Sequence, residues 1–205
     1  MKNVRIISLV SIALFALTGC KKQCSKQEFM DLANKTETHQ YAKATATCKG
    51  NISSKAASIE ESYVANDTFN FVYRNRQWQY DGDLNSLKAF RQSLVYGCLS
   101  YISMNVKDFL KEDPFLTEGD RKGLTCYSSP LGFNYKVDYK DSKQEAAGYS
   151  GIVNGTADST FTFDNTGAVI EYIEKSDISM DMDISGTTIT STSKTDLTVS
   201  ITYQD

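Results

Sequence analysis

The sequence predicts an α+β domain, with a helix, a few strands, a helical excursion and then a long antiparallel meander. Three observations predict it. Apolar residues recur three and four apart over 26–38 and 83–102, the spacing of amphipathic helices. Apolar and polar residues alternate through the last third, the pattern of an antiparallel sheet with one solvated side. No linker or long internal repeat divides the chain, and its length suits one domain with a substantial core.

The first segment is a leader. Met1 to Arg5 carries Lys2 and Arg5, and Ile6 to Leu17 is an apolar run broken only by Ser8 and Ser11. That layout is a secretory signal, too short for a permanent membrane span. It ends in Leu17-Thr18-Gly19-Cys20. The expected organisation is a signal peptide over 1–19, a tether over 20–24 and a single domain over 25–205.

Ser25-Lys26-Gln27-Glu28 fits a capping box, and Phe29, Leu32, Ala33 and Thr36 follow at helical spacing, so 26–38 reads as the first helix. The period then changes. Ala42, Ala44, Ala46 and Cys48 alternate with Lys43, Thr45, Thr47 and Lys49, a strand with one face of small residues. Phe69, Phe71 and Tyr73, the polar Arg74-Asn75-Arg76-Gln77, then Trp78 and Tyr80 read as an aromatic hairpin. Leu84, Leu87, Phe90, Leu94, Cys98 and Tyr101 mark a second helix over 83–102, prolonged towards Leu110. Asp113-Pro114 and the Gly119 to Gly123 region form a loop. Tyr135, Val137 and Tyr139 mark a strand, and Phe161, Phe163, Asp164-Asn165-Thr166-Gly167 and Ala168 to Glu174 a hairpin. Ile178, Met180, Met182 and Ile184 alternate with polar residues, Ser185-Gly186 turns the chain, and Leu197, Val199, Ile201 and Tyr203 complete the last strand.

Leu-Thr-Gly-Cys resembles the lipobox of bacterial lipoproteins, in which the cysteine thiol receives diacylglycerol and the chain is cut just before it. The resemblance implies lipidation at Cys20 and a place on the extracytoplasmic face of the cell membrane. Two acyl chains give stable attachment, and Lys21 and Lys22 add attraction to anionic head groups unless they are simply solvated. Cleavage before Cys20 leaves 186 residues with 20 basic and 25 acidic side chains. The mature formal charge is about −5, which argues against nucleic acid as a partner.

With Cys20 assigned to lipid, Cys24, Cys48, Cys98 and Cys126 remain. An even set in an extracytoplasmic protein implies two disulfides with three connectivities, and four reduced thiols are the alternative. The first helix rises about 20 Å and an antiparallel strand to Cys48 returns about 23 Å. That arithmetic sets Cys48 beside Cys24, making Cys24–Cys48 the preferred bridge and Cys98–Cys126 the remainder.

The order of lipobox, short helix, strands, helical insertion and closing meander resembles the LolA/LppX-type lipoproteins. The stretches Glu28-Phe29-Met30-Asp31-Leu32-Ala33-Asn34 and His39-Gln40-Tyr41-Ala42-Lys43-Ala44-Thr45 are also similar to uncharacterised lipoproteins of low-GC Gram-positive bacteria. So is the ending Ile201-Thr202-Tyr203-Gln204-Asp205. The resemblance implies a curved antiparallel sheet, an incomplete barrel, with two or three helices packed on one face and space for acyl chains. No ligand residue carries over, because no family motif matches individual positions.

Catalytic and metal-site patterns are sparse. His39 is the sole histidine, at a helix-to-strand junction that suits a turn residue better than a catalyst. No nucleophile elbow, Walker loop or zinc-ligand spacing occurs. Asp177, Asp181 and Asp183 share a strand face that could gather a hard cation, but a solvated, aggregation-blocking face explains them better. The sequence therefore points to a non-enzymatic, cofactor-free, monomeric envelope protein that binds a hydrophobic or amphiphilic ligand between sheet and helices. Phe69, Phe71, Tyr73, Trp78, Met180 and Met182 are the candidate ligand-facing side chains. The alternative is a surface-exposed protein-interaction module with no internal cavity.

Overall fold

The computed structural model describes residues 21–111, 121–146, 149–184 and 187–205. Cys20 and the leader lie outside these residues, as do Asp113-Pro114, Gly119 and the Ser185-Gly186 turn.

A short strand, β1 (Lys22–Cys24), leads into helix α1 (Lys26–Lys35). The capping box forms as its chemistry dictates: the Glu28 N–H donates to Ser25 Oγ at 3.1 Å, which satisfies one free donor of the first turn. The helix stops before the expected residue 38. Thr36 turns to an extended conformation, and its N–H and hydroxyl both donate to the Ala33 carbonyl. Phe29 and Ala33 are its buried residues.

Strands β2 (Lys43–Ala56) and β3 (Ile59–Arg74) form a hairpin in unbroken register, from Lys43 opposite Val72 to Ala56 opposite Ile59. Alternation ends at Cys48, yet the strand runs eight residues further. Ladder pairing on both sides serves the backbone there, so the side chains need no period. The expected aromatic hairpin is present as β3 with β4 (Gln77–Tyr80), closed by Asn75 and Arg76. Both turn residues have positive φ, the conformation that matches strand twist in a two-residue turn.

The second helix is divided where the sequence suggested one piece. A 3-10 turn at Leu84–Ser86 precedes α2 (Ala89–Ser103), and α3 (Val106–Lys111) follows after a break. Asn105 causes the break by capping: its Oδ1 accepts from the Lys107 N–H, and its own N–H donates to Asp108. The remaining strands are β5 (Arg121–Ser129), β6 (Leu131–Ala146), β7 (Tyr149–Phe163), β8 (Val169–Ile184) and β9 (Thr187–Gln204). Asp164 organises the β7–β8 turn by accepting from the N–H groups of Thr166 and Ala168 and from the Thr166 hydroxyl.

These strands make one antiparallel, open sheet in the order β1-β5-β6-β7-β8-β9-β2-β3-β4. The meander β5 to β9 keeps chain order, and the N-terminal hairpin joins it through β2 against β9. The core unites Phe29 of α1, Leu94, Val95, Cys98 and Ile102 of α2, and Val106 of α3 with inward residues of the strands. Aromatic rings fill it. Phe133 meets Phe29 at 5.9 Å and Phe109 at 5.4 Å, and Tyr101 lies 4.3 Å from Tyr172. Burial of such rings is the largest single source of stabilisation available to a domain of this size.

Candidate functional site: a cleft beside the first strand

The C-terminal end of α1, the β5–β6 turn and the β7–β8 turn converge on an open cleft of about 480 Å³. Its apolar surface comes from Leu32, Pro130, Leu131, Phe163 and Ile170, and exposed Lys35 stands at its mouth. Each wall has a local cause. Thr36 ends α1, and the Lys107 ammonium donates to its carbonyl at 2.7 Å, so the last turn is pinned from α3. The Ser129-Pro130 turn sets Leu131 of β6 directly opposite Ser128 of β5. The Asp164 carboxylate is engaged on both oxygens, because Oδ2 also accepts from the Tyr41 hydroxyl at 3.0 Å. It is thus a structural acceptor rather than a free charge facing the cleft.

The cleft adjoins the chain's entry into the sheet. Lys22 of β1 pairs with Ser129, a cleft-lining residue, and the Ser128 hydroxyl donates to the Lys22 carbonyl at 3.3 Å. Lys21 lies over the Tyr127 ring at 5.3 Å. One wall is therefore hydrogen-bonded to the residue two positions after Cys20.

The candidate ligand-facing residues fall elsewhere, in three groups. Phe69 and Phe71 are core residues, each 1% exposed and packed on Tyr80. Tyr73 and Trp78 pack on each other at 5.6 Å, and Trp78 reaches Tyr203, which stacks on Tyr41. Met180 and Met182 are half-buried towards the far end of β8, opposite Val153 and Gly151 of β7. None of the six lines the cleft. Its residues were hard to find from sequence because they come from three separated turns and show no shared period. The signal that could have marked them is the Ser-Ser-Pro-Leu turn at 128–131.

The cysteines also differ from the helix-and-strand arithmetic. Cys48 Sγ lies 3.5 Å from Cys98 Sγ, not beside Cys24, and Cys24 pairs across the ladder with Cys126. The arithmetic assumed that the strand returns along α1, whereas β2 pairs with β3 and β9 and α1 lies against β5 and β6. All four are free thiols here. The Cys98 thiol is pushed up by its hydrogen bond with Cys48 and by burial, and Cys126 by burial and the neighbouring Cys24.

His39 is exposed and touches Asp205 at 2.6 Å, joining the helix–strand junction to the chain end. Asp177 pairs with Lys194 at 2.7 Å, and Asp181 accepts from Thr190. Among the described residues no group of three or more His, Cys, Asp or Glu could hold a metal, and no helix is long and apolar enough to cross a membrane. Family models, curated proteins and solved structures give no match to this chain.

Proposed function

We propose that this is a non-enzymatic, lipid-anchored bacterial envelope protein that takes the acyl portion of an amphiphile into the cleft beside β1. In this reading Cys20 carries diacylglycerol, the open sheet curves as an incomplete barrel, and the helices cover its concave face. The buried core shared by the helices and the sheet is packed with rings, including Phe29, Phe133, Phe161 and Tyr172. Ligand space is therefore assigned to the cleft rather than between sheet and helices. The carrying observation is the apolar floor of Leu32, Leu131, Phe163 and Ile170 in a 480 Å³ cleft lined on one side by Ser129, the ladder partner of Lys22. A volume of this size takes a drug-sized or acyl-chain segment. Lys35 at the mouth suits an anionic head group.

The test is native mass spectrometry with lipid extraction on the chain recovered from a bacterial envelope in mild detergent. A reproducible co-purifying lipid is expected, and Leu32→Asp should reduce its occupancy at least tenfold while far-ultraviolet dichroism is unchanged. A wild-type chain that carries no lipid and takes none from anionic vesicles sinks the carrier reading. One observation favours the alternative interaction module: β4 pairs only with Phe71–Arg74 of β3, while Ile59 and Val64 of that strand are 65% and 74% exposed. Exposed edges of this kind accept an added strand.

A further inference from the structure

The cysteines of the domain stand as two facing pairs drawn from four different elements. Cys48 of β2 and Cys98 of α2 are both buried, with sulfur atoms 3.5 Å apart. Cys24 of β1 and Cys126 of β5 occupy directly opposite ladder positions. We propose that the mature protein is closed by two disulfides, Cys24–Cys126 and Cys48–Cys98.

The geometry needs little adjustment. A disulfide holds its sulfurs about 2.05 Å apart and its Cβ atoms about 3.5–4.5 Å apart. The Cys48–Cys98 sulfurs must approach by about 1.5 Å, a movement that small χ1 rotations supply. Directly opposed antiparallel residues have Cβ atoms about 4.5–5.5 Å apart, so the Cys24–Cys126 pair closes with a slight inward shift. The exchanged pairing does not fit. The ladder neighbours of Cys48 are Asp67 and Val199, in β3 and β9, and those strands lie on the far side of the meander from β1.

Each closure consumes two thiols and one disulfide of the oxidant, either glutathione disulfide or the active-site disulfide of an envelope thiol oxidase. One protein thiolate attacks the oxidant disulfide, forms a mixed disulfide and releases one oxidant thiol. The facing thiolate then attacks the protein sulfur of that mixed disulfide and expels the second oxidant thiol. Two protons leave the protein, and two electrons pass to the oxidant. Cys24 is half-exposed and is the entry point of its pair. Cys48 and Cys98 are both buried, so their bond closes before α2 has seated on β2.

The two links do different things. Cys48–Cys98 spans 50 positions and fastens α2 to a strand in the interior of the sheet. Cys24–Cys126 fastens the tether to β5, four residues after the lipid-bearing position. The supply of oxidant rests on the extracytoplasmic location proposed above, but the pairing does not.

The test maps the full chain extracted in detergent from a bacterial envelope, with thiols alkylated at lysis and digestion without reduction. The expected result is one peptide pair joining Cys24 to Cys126 and another joining Cys48 to Cys98, with the mass lower by four hydrogens than after reduction. The state of Cys20, diacylglyceryl or alkylated, reports separately on the anchor. A second sample, reduced, unfolded and then refolded in glutathione disulfide, should give the same two links even if the envelope location fails, because both cysteines of the buried pair meet the oxidant before α2 seats. Cys98→Ser should leave Cys48 alkylated and Cys24–Cys126 intact. Any link from Cys24 to Cys48 or Cys98, or four alkylated thiols after glutathione disulfide, overturns the pairing.

Discussion

Asp67 is a carboxylate held at the margin of the core, with a side chain only 10% exposed. Burying such a charge is costly unless it is paired and hydrogen-bonded. Both conditions are met: the Tyr63 hydroxyl donates to Oδ2 at 2.7 Å, and Arg91 Nε lies 2.9 Å from Oδ1. The partners are themselves held. Tyr63 stacks on Phe90 with rings 5.6 Å apart, and the Arg91 guanidinium lies over Phe69 at 5.7 Å. Burial, and then the contact with Asp67, pushes the Tyr63 phenol up, so it stays a donor. Arg91 is partly exposed, which softens its contribution through solvent screening. Arg91→Ala should still cost about 1–3 kcal/mol, because it leaves Asp67 with one partner. Urea unfolding monitored by Trp78 fluorescence reads this, and an unchanged midpoint would show that Tyr63 alone satisfies the carboxylate. The sequence gives no hint of this trio, since Tyr63 and Asp67 lie in a stretch without alternation and Arg91 occupies a polar helix position.

Among the elements, two glycines set how neighbouring strands approach. Gly50 and Gly155 have φ of +151° and +127°, and a Cβ on either would stand about 2 Å from the carbonyl oxygen of Asp196 or Asp177. Both are interior strand positions, where glycine marks a bend or a close backbone approach. Gly155→Ala should therefore cost at least about 1–3 kcal/mol in strain and clash. Thermal unfolding of the variant checks this, and a melting temperature equal to wild type would mean that β7 and β8 can part there without loss. The hairpins were legible because turn chemistry and alternation agree at Asn75-Arg76 and at Asp164 to Gly167. Helix α1 was legible from Ser25 and Glu28, although its end was not, because Thr36 chose a local hydrogen bond over another turn. The distal half of β2 was not legible. Ser53, Ser54 and Lys55 have neither β propensity nor alternation, and only non-local pairing with β3 and β9 makes them a strand.

For the molecule as a whole, several tyrosines sit where ionisation is opposed. Burial pushes Tyr101, Tyr172 and Tyr203 well above the ordinary phenol value of 10.0, and nearby acids and phenols add to it. Unfolded, these residues release protons near pH 10; folded, they hold them at higher pH. Between the two values the native state binds more protons than the unfolded state, so stability falls as pH rises. Denaturant titrations from pH 8 to 11 should show the loss beginning near pH 10, with the last portion of the tyrosinate absorbance, that of the buried rings, appearing only on unfolding. Absorbance that rises fully before unfolding would mean the rings are accessible in the native state. At this level the open antiparallel meander was legible from the C-terminal alternation. The cleft was not, because its walls come from the end of α1, the β5–β6 turn and the β7–β8 turn, which lie far apart in sequence and share no pattern.

The strand lengths have a mechanical meaning once the entry point of the chain is considered. Lys22 joins the sheet beside the Ser129–Pro130 turn, at the same end as the β7–β8 turn, whereas the β2–β3 hairpin tip at Ala57 lies at the opposite end. Strand β9 alone has 18 residues, a length of about 55–60 Å if fully extended. On the anchoring proposed above, the sheet would be a stalk rooted at its base. Its tips would stand several tens of ångströms above the bilayer, while the cleft stays at head-group height. The same molecule would then handle lipid at its foot and meet the cell's surroundings at its crown.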